Sequence, residues 1–142
     1  MNILKAIETA LKKKAERNYD YLYWCIDLHG VILSPTYTLI NEGAYFYPYA
    51  KDTLRLLSKN SENKLILWTS SYSSVINGLL TTFKEDGINF AYVNENPDFL
   101  QSHICDFTKK WFFDILLDDK AGFEAEKDWK DIYNFLKANY GN

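Results

Sequence analysis

Only two cysteines, Cys25 and Cys105, occur in 142 residues. That excludes a disulfide framework, because a small fold stapled by bridges needs more of them. Cys25 falls inside an apolar run, where a reduced, buried thiol is expected. His103 and Cys105 make an H-x-C pair, but no second pair at ligand spacing follows, so no zinc site is expected. An excess of basic residues is also missing. Sixteen Lys and Arg stand against nineteen Asp and Glu, a formal net charge of −3. Nonspecific nucleic-acid binding is therefore not expected, although nucleic acid as the substrate of a local site stays open. No apolar run is long enough to span a bilayer. The opening stretch, MNILKAIETALKKKAERN, has no continuous apolar core, because Lys5 and Glu8 interrupt it. A cytoplasmic protein without a membrane span is the expectation. Internal repeats, low-complexity tracts and linkers are absent too, so residues 1–142 read as one domain.

What is present is apolar and ring-rich. The hydrophobic fraction of 47% suits a soluble globular protein, and 17% aromatics, with eleven Tyr, imply a ring-rich core or binding face. Ile3, Leu4, Ile7 and Leu11 recur at helical spacing and predict a leading amphipathic helix ending near Asn18. Residues 21–139 then form the core. A strand is predicted from about Leu22 to Asp27. Residues 33–49 carry turn signals at Ser34-Pro35 and Asn41-Glu42-Gly43 and read as an extended or hairpin excursion. Pro48 is expected to open a helix running to about Lys59. KLILWT is a second strand ending at Thr69. Ser73 or Ser74 is expected to cap a helix reaching Glu85, closed by Asp86-Gly87. INFAYV and WFFDILLDD are the third and fourth strands, and Asp131 to Ala138 lie in a last helix. Apolar strands alternating with helices predict an α/β fold, a parallel sheet with helices on both faces.

In such a sheet, ligands bind outside the carboxyl ends of the strands. The polar residues there are Asp27, His29 and Gly30 after the first strand, Thr69 and Ser70 after the second, and Asp118 and Asp119 after the fourth. Neighbouring acids repel unless a cation lies between them. Hard oxygen donors in this number suit Mg²⁺, and Lys109-Lys110 offer positive charge to an anion. Nucleophile, cation, hydroxyl and ammonium together describe phosphoryl transfer.

The order D-x-x-G-V after a strand, Thr after a second, Lys, then a strand ending in DD resembles the haloacid dehalogenase-like superfamily, from Tyr21 to the last helix. The resemblance implies a Rossmann-like domain and a Mg²⁺-dependent phosphatase working through an aspartyl-phosphate. It makes Asp27 the nucleophile and Thr69 the hydroxyl that holds the phosphoryl group, with Ser70 beside it. Lys110 is the matching lysine, Lys109 the adjacent register. Asp118 and Asp119 are the acidic pair that positions Mg²⁺, together with Asp27 and the main-chain carbonyl of His29. One position departs from the pattern: His29 stands where phosphatases of the superfamily carry an aspartate as general acid/base. Imidazole titrates near pH ~6.5, so it can serve the same role. The alternative is a catalytically degenerate binding or scaffold module that keeps the pocket. A response-regulator receiver is disfavoured by chain order, since its acidic pair comes at the first strand. The intervals Asp27–Thr69 and Thr69–Lys110 leave no room for a cap domain. The resemblance then implies an open site suited to a large phosphorylated substrate, or one covered by a partner subunit in a homo-oligomer.

Several aromatic residues are open to two readings. Tyr45, Phe46, Tyr47 and Tyr49 can stack on a substrate ring, though packing against the sheet is the expected role. Trp68 and Trp111 are expected in the core, and Trp129 as a packing anchor of the last helix.

Overall fold

The computed structural model describes residues 2–34, 45–100 and 105–140, the side chain of Tyr140 excepted. Pro35, Asn41-Glu42-Gly43 and His103 lie outside the described residues. The elements run α1 (Ile3–Glu16), β1 (Leu22–Asp27), α2 (Ala50–Lys59), β2 (Asn63–Trp68), α3 (Ser73–Glu85), β3 (Phe90–Val93), β4 (Ile115–Leu117) and α4 (Ala125–Tyr140). The strands form one all-parallel sheet in the order β3-β2-β1-β4, flanked by helices. It is a Rossmann-like α/β arrangement, as the strand–helix alternation predicts.

β1 occupies the centre because every residue from Leu22 to Ile26 is apolar and buried. Fully burying each such side chain stabilises by roughly 1.5–3 kcal/mol relative to leaving it in water. The alternating residues Leu22, Trp24 and Ile26 join the main core, with Ile3 and Ile7 of α1, Leu54 and Leu57 of α2, and Trp129 and Ile132 of α4. Within this layer the Trp24 indole donates to Asn63 Oδ1 at 3.0 Å. The other face of β1 meets a different cover. Tyr23 packs edge-on against Phe99 and Phe112, at 5.4 and 6.0 Å between centroids. Those rings belong to the β3–β4 connection rather than to a helix.

Element boundaries differ from the expected ones where short-range chemistry decides. α1 starts where Asn2 Oδ1 accepts from the N–H groups of Leu4 and Lys5. α2 starts at Ala50 rather than Pro48, because Tyr49 takes a left-handed conformation at φ 69°. α3 is not capped by either serine: Ser73 and Ser74 lie inside its first turn, and Tyr72, before it, brings no short oxygen to cap with. Its other end follows expectation, with Gly87 at φ +82°. β4 begins only at Ile115. The preceding Asp114 is locked to β1, its carboxylate accepting from Tyr23 N–H at 2.8 Å and its own N–H donating to Tyr23 O at 2.9 Å. α4 contains the expected Asp131 to Ala138 and begins at Ala125.

The excursion after β1 is closed at its base. Leu33 and Phe46 form an antiparallel bridge, and Ser34 N–H donates to Tyr45 O at 2.8 Å. Phe46 packs on Phe83 of α3 and Tyr49 on Tyr133 of α4, so these two rings serve the fold, while Tyr45 is exposed. Trp129 is the anchor expected of it: it is fully buried, and its indole donates to the Val31 carbonyl at 2.7 Å. That bond ties α4 to the turn that follows Asp27. Cys25 is buried and free, and burial, with the charges of Asp118 and Asp27 nearby, pushes its thiol up to about 12. No helix among the described residues is long and apolar enough to cross a membrane.

Candidate functional site at the carboxyl edge of the sheet

β1 pairs with β4 so that Ile26 lies opposite Leu117. Asp27 and Asp118 are the next residues on each strand, and this register brings them side by side. Asp119 opens a 3-10 turn over Asp119–Ala121, and the Asp118 carboxylate accepts from Lys120 N–H at 2.9 Å. One carboxylate oxygen from each of Asp27, Asp118 and Asp119 lies within 4.8 Å of the other two.

The turn after β1 is built to let them meet. The Leu28 carbonyl accepts from the N–H groups of Val31, Ile32 and Leu33, and Gly30 N–H donates to Leu33 O at 2.8 Å. The His29 carbonyl takes no part in this turn. Gly30 has φ +90°, and a Cβ there would stand 3.0 Å from Asp119 Oδ2. Glycine is therefore needed twice, for the backbone angle and for the approach of Asp119.

Like charges at this spacing change the acidity of the group at the centre. Asp27 is raised from the usual carboxylate value to about 7. Burial is the largest cause, followed by the charge of Asp118 and a hydrogen bond with the Asp119 carboxyl, against the pull of Leu28 N–H at 2.9 Å. A carboxyl group so placed titrates near neutral pH, and positive charge beside it favours the ionised form.

On the β2 side, Thr69 follows the last strand residue. Its hydroxyl donates to Ser71 Oγ at 3.1 Å and accepts from Ser71 N–H at 3.1 Å. Its main chain is clamped by Asn94, whose side chain accepts from Thr69 N–H and donates to Thr69 O, both at 2.8 Å. Sequence reasoning missed Asn94 and Ser71. A polar residue directly after the third strand was the available signal for Asn94, which sits at φ 55° with its N–H on Leu67 O. Ser70 is exposed.

His29 is half-buried in the turn, and its ring has no hydrogen-bond partner among the described residues. Lys109 and Lys110 are exposed, and neither forms a salt bridge with a described carboxylate. The structure thus brings Asp27, Asp118 and Asp119 together and does not tie the lysines to them. Trp68 departs from its expected place in the core: it is 42% exposed. As the last residue of β2 it faces the side of the sheet opposite Leu65 and Leu67, at the carboxyl edge. Trp111 is half-buried against it, at 5.5 Å between centroids.

No protein-family profile matches the chain, and no curated protein matches it. Among solved structures, one titled "Structure of the conserved protein coded by locus from Bacteroides thetaiotaomicron" is similar. It superposes with a TM-score of 0.60 at 26% identity, over 83% of this chain and 91% of that one. The likeness extends over most of both chains, so the fold is shared as a whole rather than in one βαβ unit.

Proposed function

We propose that this protein is a Mg²⁺-dependent phosphohydrolase of the haloacid dehalogenase-like type, with Asp27 as its nucleophile. The observation that carries the reading is the meeting of Asp27 with Asp118 and Asp119 at the carboxyl edge of a parallel sheet. That edge is where an open α/β sheet takes its ligands, and the three acids occupy the motif positions that the sequence order assigns to them.

The residues fit Mg²⁺. All three side chains offer hard oxygen donors, and the missing Cβ of Gly30 leaves the space Asp119 occupies. Asp27, Asp118 and Asp119, with the His29 carbonyl, would hold the ion. When bound, it supplies the positive charge that offsets three carboxylates and a phosphate.

In the first step a carboxylate oxygen of Asp27 bonds to phosphorus as the bond to the ester oxygen breaks, and protonated His29 gives its proton to that oxygen. In the second, neutral His29 takes a proton from water, and the water oxygen displaces Asp27 from phosphorus. Phosphate leaves and the carboxylate is restored. Thr69 donates its hydroxyl to a phosphoryl oxygen, with Ser70 beside it, and Lys110 brings positive charge to the entering anion. Asp27 attacks only when ionised, a form that neighbouring positive charge favours.

A second reading is a degenerate binding module. His29 favours it, because no described residue orients its ring. Turnover of phenyl phosphate, with and without Mg²⁺, decides between them. Mg²⁺-dependent hydrolysis that EDTA stops and Asp27→Asn abolishes is the expected result. Substantial activity in Asp27→Asn would remove Asp27 from its role, and binding of Mg²⁺ and phosphate without any turnover would favour the module.

A further inference from the structure

We propose that Trp68 and Trp111 form a stacking wall beside Asp27 that selects phosphate monoesters carrying a planar aromatic ring. This rests on the phosphohydrolase reading and names the class of its substrate.

The placement follows from register. Asp27 and Trp68 are opposite each other on adjacent parallel strands, roughly 4.8 Å apart. Side chains alternate along a strand, and paired residues share a face. Tyr23 with Lys64, Cys25 with Ile66, and Asp27 with Trp68 therefore lie on one face of the sheet. Asp118 flanks Asp27 on its β4 side, and Trp68 flanks it on the β2 side.

The exposure of Trp68 sets it apart from its own strand. Leu65, Ile66 and Leu67 are at most 1% exposed, against 42% for the tryptophan. Its contact with Trp111 is edge-on, at 63° between planes, and Trp111 in turn meets Phe113 edge-on at 5.6 Å. Edge-on packing fixes the Trp68 ring while leaving ring surface open to the site. Thr69, the residue proposed to hold the phosphoryl group, follows Trp68 directly, so a phosphate bound there has the indole as its neighbour. Lys109 and Lys110, exposed just before Trp111, add positive charge at the same rim, which suits an anionic ester. An aryl phosphate and a nucleoside monophosphate share the required chemistry.

Two pairs of probes isolate the ring. Phenyl phosphate is compared with cyclohexyl phosphate, and adenosine 5′-monophosphate with ribose 5-phosphate, using the full chain with Mg²⁺. Wild type is expected to show a KM lower for the ring-bearing member by on the order of 5- to 100-fold, the usual scale of base–aromatic stacking. Trp68→Leu brings that ratio towards one, and Trp68→Phe keeps most of it. Discrimination within either pair supports the wall and identifies which ring source it serves. Equal KM for both members in wild type, or a ratio unmoved by Trp68→Leu, overturns it. Calorimetric binding of the same probes to Asp27→Asn separates the two proposals. Ring-selective binding without wild-type turnover keeps the wall and defeats hydrolysis, whereas turnover without ring preference defeats the wall alone.

Discussion

Asp27→Asn should stabilise the metal-free protein, and the gain should appear only as pH rises. Asp27 goes from an ordinary value of 3.8 to about 7 on folding. The folded state therefore holds a proton that the unfolded chain releases between those values. Stability from this group is complete below 3.8 and is lost as pH rises through about 7. Taken in full, a displacement of about three pH units is worth ~4 kcal/mol at roughly 1.4 kcal/mol per unit. The carboxyl is only partly buried, and solvent screening reduces this to about 1–2 kcal/mol. Asparagine mimics the neutral acid at every pH. In EDTA the variant should melt within about a degree of wild type near pH 3.5, and about 3–8 °C above it at pH 8. Paired thermal melts by circular dichroism across that range measure the difference directly, and the many other titrating groups cancel. A gap that stays constant with pH, or a variant less stable at pH 8, would refute the upward displacement of Asp27 on folding.

His29→Ala should lose roughly 10²–10⁴-fold in kcat if the imidazole moves the proton, while His29→Asp keeps turnover with its pH optimum moved down. Steady-state pH profiles of the three proteins test this, and an alanine variant as active as wild type would reduce His29 to a turn residue. Gly30→Ala should cost about 1–3 kcal/mol, since φ +90° is strained for any side chain. The same variant should weaken Mg²⁺ binding by displacing Asp119, seen by chemical denaturation alongside Mg²⁺ titration.

The central strand and the acidic edge were legible because each depends on a local pattern: a run of apolar residues followed by the first polar one. Strand and helix alternation then placed Asp27, Asp118 and Asp119 on one edge without any knowledge of distances. What failed depended on which face a residue covers. WFFD reads as the start of a strand, yet Phe112 lies over Tyr23 from the second face, and the strand waits until Ile115. Trp68 reads as core because it lies on an apolar strand, but its position at the end of β2 leaves it exposed. Asn94 is a single polar residue after a short strand, and its value to Thr69 lies in a pairing across 25 residues. No local pattern announces such a pairing.

The strand order has a consequence for how the molecule is made. β1 gains its first partner when β2 is available, but its other edge waits for β4, the last of the four strands in chain order. Until Ile115–Leu117 docks, β1, buried from Leu22 to Ile26 in the finished fold, keeps one row of N–H and C=O groups open. Such an edge recruits other extended chains. Asp27 and Asp118 meet only when that edge closes. The event that assembles the acidic site is thus the same one that covers the free edge of β1, and a chain interrupted before β4 lacks the site and leaves that edge open.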